Sequence, residues 1–150
     1  MELALQFQKF FGSTVSTVEK QEEEMMKLLG GFNVSVSEIH ILEAVGDGCG
    51  KSLSEIASLL NVSSAAATVG VSRLVKKGFL RKSRAVNDGR SMIVTLTSNG
   101  GRVNELHQMF HREITENFMK ELNEREAVVI LGLVEKMNQY FARNKNWRHK

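Results

Sequence analysis

Two of the four histidines in this chain of 150 residues, His107 and His111, stand four positions apart in the segment NELHQMFHRE. On a helix this spacing places both imidazoles on one face, one turn apart. Imidazole nitrogens are zinc ligands, so the pair is half of a metal site if further ligands join it. It is not a metalloprotease motif, which needs a glutamate directly after the first histidine, where this chain has Gln108. Histidine pairs on helices are also common structural features. Whether this pair binds a metal therefore depends on which residues the other elements bring beside it.

Glu22 and His40 are the candidates to complete such a site. Apolar residues of the first segment recur at steps of three and four, and Glu22 stands where this stripe is interrupted. The stripe predicts one long amphipathic helix, and its members are Leu3, Phe7, Phe11, Val15, Val18, Met25 and Leu29. His40 lies in SEIHILEAV, whose apolarity predicts a short buried helix over 37–45. The histidine pair flanks a stripe made by Val103, Leu106, Phe110 and Ile114.

A second motif, GDGCGKS over residues 46–52, resembles the phosphate-binding loop of nucleotidases. That loop needs four residues between its first glycine and the Gly-Lys-Ser end. Here three residues separate Gly46 from Gly50, and the preceding IHILEAV would have to be a buried strand. An interhelical loop in which Ser52 caps the next helix is the better interpretation, and a P-loop nucleotidase is kept as a remote alternative.

The composition is that of an ordinary globular protein, with 42% hydrophobic and 25% charged residues. No apolar run reaches the roughly 20 residues of a membrane span, and the N-terminus has no signal-peptide pattern. The single cysteine, Cys49, cannot form an internal disulfide, which fits a reducing cytoplasm. The formal net charge is +3, but seven basic residues and one acid lie between positions 73 and 90. This local imbalance favours an anion-binding surface.

The middle of the chain predicts two short helices joined by a tight turn. SLSEIASLL begins with Ser52 and Glu55 at capping-box spacing. After LNVS, a second helix is predicted over 64–77, with Gly78 as its C′ residue. The predicted buried side of this second helix comprises Ala67, Val71, Leu74 and Val75.

A hairpin and two long helices are predicted for the remainder. FLRKSR and SMIVTLT are strand-like and flank the turn sequence AVNDG. One helix is predicted from about Asn99 to Leu122, and the last starts at Asn123 with Glu126 at capping-box spacing. The last helix is predicted to bury Ala127, Ile130, Leu131, Val134, Met137 and Phe141.

This order of elements is that of a winged helix-turn-helix. The stretches LSEIASLLNVSSAAATVGVSRLVKKGFLRKS and NDGRSMIVTLTSNG resemble the MarR family of bacterial transcriptional regulators, the second matching that family's wing. The resemblance implies a mainly α fold with a small β-hairpin wing. It also implies a DNA-binding repressor, not an enzyme, that acts as a homodimer on a pseudo-palindromic operator. Within a single domain, 1–34 and 99–150 would be dimerisation helices and 35–98 the DNA-binding lobe.

The predicted DNA-reading surface is the outward face of the second short helix. Short side chains let the backbone approach base edges, and hydroxyls and methyls can meet bases in the major groove. Arg73, Lys76 and Lys77 lie further along and are expected to contact phosphates. Arg90 at the wing tip would enter a minor groove, and the resemblance implies that Asp88 orients it. The expected set is Ser64, Ala65, Thr68, Val69, Ser72, Arg73, Lys76, Asp88 and Arg90.

The chain also resembles a zinc-responsive branch of this family. That branch uses a glutamate on the first helix, a histidine on the second and an H-x-x-x-H pair on the fifth. The matching residues are Glu22, His40, His107 and His111. The resemblance implies one zinc ion per protomer as co-repressor, whereas that branch's second site, which uses a cysteine, has no counterpart because Cys49 is misplaced. The alternative is a regulator gated by a small aromatic or lipid ligand, with the histidines as polar lining.

Overall fold

The computed structural model describes residues 2–28, 32–84 and 92–144, and it describes only the backbone of Met26 and Leu28. These residues form six helices and one antiparallel hairpin. The elements are α1 (Glu2–Leu28), α2 (Val36–Val45), α3 (Leu53–Leu59), α4 (Ser64–Lys76), β1 (Leu80–Arg84), β2 (Met92–Leu96), α5 (Ser98–Lys120) and α6 (Glu124–Arg143). The predicted mainly helical fold with a hairpin wing is confirmed. Within the described ranges, no helix has both the length and the apolarity that crossing a membrane requires.

Both predicted capping boxes are confirmed. The N–H of Glu55 donates to the Ser52 hydroxyl, and the N–H of Ser52 donates to the Glu55 carboxylate. Asn123 and Glu126 start α6 in the same reciprocal way. Each box provides partners for N–H groups that the first turn of a helix leaves unpaired.

Helix α2 begins one residue earlier than predicted, at Val36. A third capping box, formed by Ser35 and Glu38, fixes this start. At the other end of the helix-turn-helix, α4 ends at Lys76, one residue earlier than predicted, and Gly78, the predicted C′ residue, adopts a positive φ of 81° just after the C-cap. A glycine tolerates this left-handed conformation without the steric cost that a Cβ would bring.

The core of the first compact unit, residues 1–108, lies between α2, α3, α4 and the hairpin. The predicted inner side of α4 is confirmed: Ala67, Val71 and Leu74 are buried, and Val75 is partly buried. Gly70 faces α2 so closely that an added Cβ would overlap the side chain of Ile41. The glycine that weakens helix propensity therefore permits the close approach of α2 to α4.

The glycine-rich stretch 46–52 connects α2 to α3 and packs against β2. Lys51 and Val94 exchange backbone hydrogen bonds of 2.9 and 2.8 Å. A Cβ at Gly50 would lie 2.5 Å from the carbonyl oxygen of Val94. The residues before this loop form helix α2 rather than a strand. The P-loop alternative is therefore wrong, because that loop requires a strand before it.

The second unit, residues 109–150, contains the later part of α5 and all of α6. The prediction that α6 buries its apolar side is wrong for the single chain, since none of its residues is buried. Leu131, Val134 and Phe141 are all at least 48% exposed. Helical periodicity identifies which side of α6 is apolar, but it does not identify what covers that side.

Candidate functional site

Glu22 is a buried carboxylate on the apolar stripe of α1, with 6% of its surface exposed. Two imidazoles approach it from other helices. One carboxylate oxygen lies 3.9 Å from Nε2 of His40, and the other lies 3.9 Å from Nε2 of His107. The rings of His40 and His107 meet edge to face with centroids 5.8 Å apart. Helices α1, α2 and α5 therefore each bring one predicted ligand to the same place.

His111 stands one turn after His107 on the unbroken helix α5 and is partly buried. Glu22, His107 and His111 make up a group of residues that can hold a metal ion. His40 does not belong to that group, although it lies beside Glu22, so its half-exposed ring would have to turn to join them. Of the sequence-predicted ligands, His40 and His107 therefore both lie beside Glu22 within the first unit.

The ring of His107 is enclosed, with 1% of the residue exposed, and it contacts a second carboxylate. Its Nδ1 lies 3.9 Å from the Glu43 carboxylate, whose side chain is 49% exposed. Glu43 belongs to none of the motifs seen in the sequence. Glu43 stands three residues after His40, which places both on one face of α2, and this spacing is the sequence feature that could have identified it.

Asn104 is a second residue near the site that no sequence motif identifies. It precedes His107 by one turn of α5 and is buried, and neither its side-chain oxygen nor its nitrogen has a hydrogen-bond partner among the described residues. A buried amide without partners is costly in an apolar core. Its spacing from the histidines puts it on their face of α5, so this face carries polar side chains over about two turns.

The outward face of α4 carries the residues predicted to read DNA. Ser64, Ala65, Thr68 and Val69 are exposed, and Ser72 is partly buried. The Thr68 hydroxyl donates to the carbonyl oxygen of Ser64 at 2.7 Å. Its oxygen and methyl group are therefore what Thr68 can offer to a base edge.

Basic residues flank this face. Arg73 and Lys76 are exposed near the end of α4. From β1, the Lys82 ammonium donates to the Ser72 hydroxyl at 3.3 Å, which brings a further positive charge beside α4. Lys82 belongs to the basic cluster seen in the sequence but was not among the predicted site residues. The wing tip with Asp88 and Arg90 lies outside the described residues.

Lys77 has a different role from the one expected. Its ammonium donates to the Glu38 carboxylate at 2.8 Å and to the carbonyl oxygen of Asn33 at 2.9 Å. The expectation that Lys77 contacts phosphates is therefore corrected, because its charge is already paired with a buried carboxylate. The contact fastens the end of α4 to the start of α2.

Burial alone would raise the pKa of Glu38. Hydrogen bonds from Lys77 and from the N–H of Ser35, together with the charges of Lys77 and Arg73, outweigh burial and hold that pKa below its ordinary value. The ionised form of Glu38 is thus the form that the folded lobe stabilises.

We expect Glu38→Gln to lower the free energy of unfolding by about 1–3 kcal/mol at neutral pH, since hydrogen bonds to charged groups are lost. Folding lowers the pKa of Glu38, so its contribution is complete above the ordinary carboxyl pKa and is lost as the pH falls through the lowered value. In urea unfolding, the gap between parent and variant should shrink below about pH 4. Glu105→Gln, an exposed position of α5, is the control. A gap that stays constant down to pH 3 would contradict this role.

A groove of about 590 Å³ lies between α2 and α4 within the first unit. Its walls are mostly apolar, and Ile41, Val62 and Val69 are among the residues that line it. Arg73 and His40 are the cationic or ionisable groups that line it besides Glu38. A small organic anion is the kind of ligand that such a lining can hold.

Comparison with known proteins agrees with this architecture. Residues 34–92 match the sequence model of the MarR family. The uncharacterized HTH-type transcriptional regulator YhjH of Bacillus subtilis is 26% identical over 86 residues, which cover 57% of this chain and 49% of that protein. YwaE, another such regulator of Bacillus subtilis, is 30% identical over 112 residues, covering 74% of this chain and 65% of that protein. The match therefore spans about half the length of the first relative and less than two thirds of the second.

Among solved structures, FabT of Streptococcus pneumoniae in complex with DNA superposes with a TM-score of 0.84. The two chains are 23% identical, and the match covers 92% of this chain and 96% of FabT. The MarR family model thus matches residues 34–92 of the 150, and the likeness to FabT shows that this chain has the same fold.

Proposed function

We propose that this chain is a DNA-binding transcriptional repressor that acts as a homodimer on a pseudo-palindromic operator. The observation that carries this proposal is the outward face of α4, where short side chains are exposed between basic residues. FabT, which has the same fold, was solved in complex with DNA. In this proposal α4 is the recognition helix, and the strands β1 and β2 form the stem of the wing.

The chemistry of α4 suits the major groove. Its first turns carry no long side chain, so the helix can lie close to base edges and read them with hydroxyls and methyl groups. The Val69 side chain is 58% exposed, so its methyl groups are accessible to a base edge. Arg73 and Lys76 follow at the end of the helix, where they would neutralise phosphates and fix the register of the helix on the duplex.

The homodimer would cover the apolar stripes that the single chain leaves exposed. On α1 these are Leu3, Phe7, Phe10, Phe11, Val15 and Val18, and on α6 they include Leu131, Val134 and Phe141. A second copy related by a two-fold axis would bury the same surface on both subunits. The two recognition helices would then enter successive major grooves about 34–36 Å apart. Sedimentation of a monomer at micromolar concentration would count against this assembly.

Lys76 and Lys77 provide a matched pair that tests the DNA-binding surface. We expect Lys76→Ala to weaken binding to a duplex selected from genomic fragments and to reduce the salt slope by about 0.9 for the lost phosphate contact. Its free energy of unfolding should stay unchanged. Lys77→Ala should instead destabilise the fold, because it leaves Glu38 buried without its partner. Fluorescence anisotropy at several salt concentrations, with urea unfolding beside it, separates the two effects.

If Lys76→Ala binds the selected duplex with the parent's affinity and salt slope, the basic flank of α4 does not contact phosphates. If the parent selects no duplex above its nonspecific affinity, the proposal of a sequence-specific regulator fails altogether.

We further propose that zinc is the co-repressor and that Glu22, His40, His107 and His111 hold it, one ion per protomer. The donor set fits, because imidazole nitrogens and a carboxylate oxygen are zinc ligands and structural zinc sites have four of them. The burial of Glu22 supports the proposal, since a buried carboxylate is stabilised by a cation. An ion bound here would supply positive charge and link α1, α2 and α5.

The groove between α2 and α4 favours a second candidate, in which a small aromatic or lipid-like acid is the effector instead. Arg73 lines this groove and also belongs to the proposed phosphate-contacting flank. A ligand held there would compete with DNA for that guanidinium. This candidate predicts weaker operator binding with ligand, whereas the zinc proposal predicts stronger binding with metal.

A further inference from the structure

We propose that Glu43 is a positioning residue for His107: it accepts the Nδ1–H of that imidazole and so keeps Nε2 as the atom that binds metal. The inference rests on the proposed zinc site and deepens it. Neither the spacing of the candidate ligands nor the family resemblance singles out Glu43.

The geometry of His107 carries the inference. Its two ring nitrogens face two carboxylates on different helices, with Nε2 3.9 Å from Glu22 and Nδ1 3.9 Å from Glu43. The distance to Glu43 is about 1 Å longer than a hydrogen bond, and a rotation of the half-exposed Glu43 side chain would close it. A neutral imidazole has one N–H and one lone pair, and only the nitrogen with the lone pair can bind a metal. With Glu22 bound to the ion, Glu43 is the carboxylate of this pair that is left to accept the ring proton, which favours the tautomer protonated at Nδ1. That tautomer directs the lone pair of Nε2 toward Glu22 and the ring of His40.

The placement of Glu43 on α2 suits this role. His40 and Glu43 are three residues apart on one helix, so α2 holds a ligand and the partner of another ligand in a fixed relation. Metal-bound histidines generally donate their second N–H to a carboxylate or carbonyl, and loss of that partner weakens metal binding by about 10- to 100-fold.

The net charge of the proposed metal site also supports a role for Glu43. A divalent ion held by one carboxylate and three neutral imidazoles leaves a net charge of +1 in a partly enclosed site. The ionised Glu43 brings the sum to zero, and it does so from the edge of the site, where its half-exposed side chain keeps access to water. A neutral cluster has a smaller desolvation penalty than a charged one.

Zinc affinity of the purified chain, measured by competition with a chromophoric chelator, tests the role of Glu43. We expect Glu43→Ala to bind Zn²⁺ about 10- to 100-fold more weakly than the parent. Glu43→Gln, whose carbonyl oxygen can still accept the N–H, should recover part of the loss. Glu24→Ala removes an exposed carboxylate from α1 and is the control for a general loss of charge. Urea unfolding of the metal-free variants checks that the fold is intact.

Nitrogen-15 NMR of the imidazoles in the zinc-loaded protein gives a readout that a merely structural role would not move. The parent should show His107 protonated at Nδ1 and metal-bound at Nε2. In Glu43→Ala, a smaller fraction of His107 should show this protonation pattern.

The outcomes distinguish the role of Glu43 from the existence of the zinc site. If the parent binds Zn²⁺ no more tightly than micromolar, the zinc site fails and Glu43 has no such role. If the parent binds tightly and Glu43→Ala binds equally well, the zinc site stands and the inference about Glu43 is overturned. A zinc-loaded His107 protonated at Nε2 would overturn it as well.

Discussion

Adding Zn²⁺ to chelator-treated protein is expected to raise its affinity for operator DNA by roughly 5- to 150-fold, the usual range of coupling between two sites. The proposed ligands come from α1, α2 and α5, so a bound ion would restrict the relative placement of these helices. Without it, only a fraction of molecules would present two recognition helices at the spacing of the half-sites. Fixing that spacing raises the apparent affinity by the inverse of the fraction.

The double variant His107→Ala with His111→Ala should abolish this response, and urea unfolding of the metal-free variant checks that loss of the buried His107 ring leaves the protein folded. Gln108→Ala with Arg112→Ala is the matched control, because both residues are exposed, stand at the same spacing on α5 and are direct neighbours of the histidines. The measurement is operator affinity by fluorescence anisotropy with and without zinc. If the histidine variant responds to zinc as the parent does, the pair has a structural role only.

The parts of this fold that the sequence predicts are those specified by residues close together in the chain. Each capping box depends on two residues three positions apart, so the spacing of Ser52 and Glu55 is enough to identify the start of α3. The burial of Glu22 follows from its place in a helical period. The fold resemblance is likewise carried by contiguous stretches, from the first short helix to the end of the hairpin.

The parts that the sequence did not predict depend on residues far apart in the chain. The contact between Lys77 and Glu38 joins residues 39 positions apart. Because of it, Lys77, which was expected to contact DNA phosphates, instead links α4 to α2. Gly70 lies opposite Ile41 only because α2 crosses α4 at that point. The approach of Glu43 to His107 similarly requires α2 to lie beside α5. Local spacing identifies the faces of helices, but the packing of those faces decides which side chains meet.

Gly100, at the start of α5, lies against the backbone of Phe79. Phe79, which connects α4 to β1, accepts through its carbonyl oxygen a hydrogen bond of 3.0 Å from the N–H of Thr97. A Cβ added at Gly100 would overlap this carbonyl oxygen and would lie 3.3 Å from the side chain of Leu96. The Phe79 backbone has little freedom to retreat, because its own N–H donates to Leu74 at 3.0 Å.

Gly100→Ala is therefore expected to lower the free energy of unfolding by about 3 kcal/mol, the upper part of the range for overpacked sites. Gly101→Ala is the matched control, since a Cβ at that position meets nothing within 4 Å. That control should gain up to about 1 kcal/mol, because alanine favours the helix over glycine. Urea unfolding at one fixed protein concentration measures both changes. Equal effects of the two substitutions, or a Gly100→Ala protein as stable as the parent, would show that α5 does not lie against Phe79 as described.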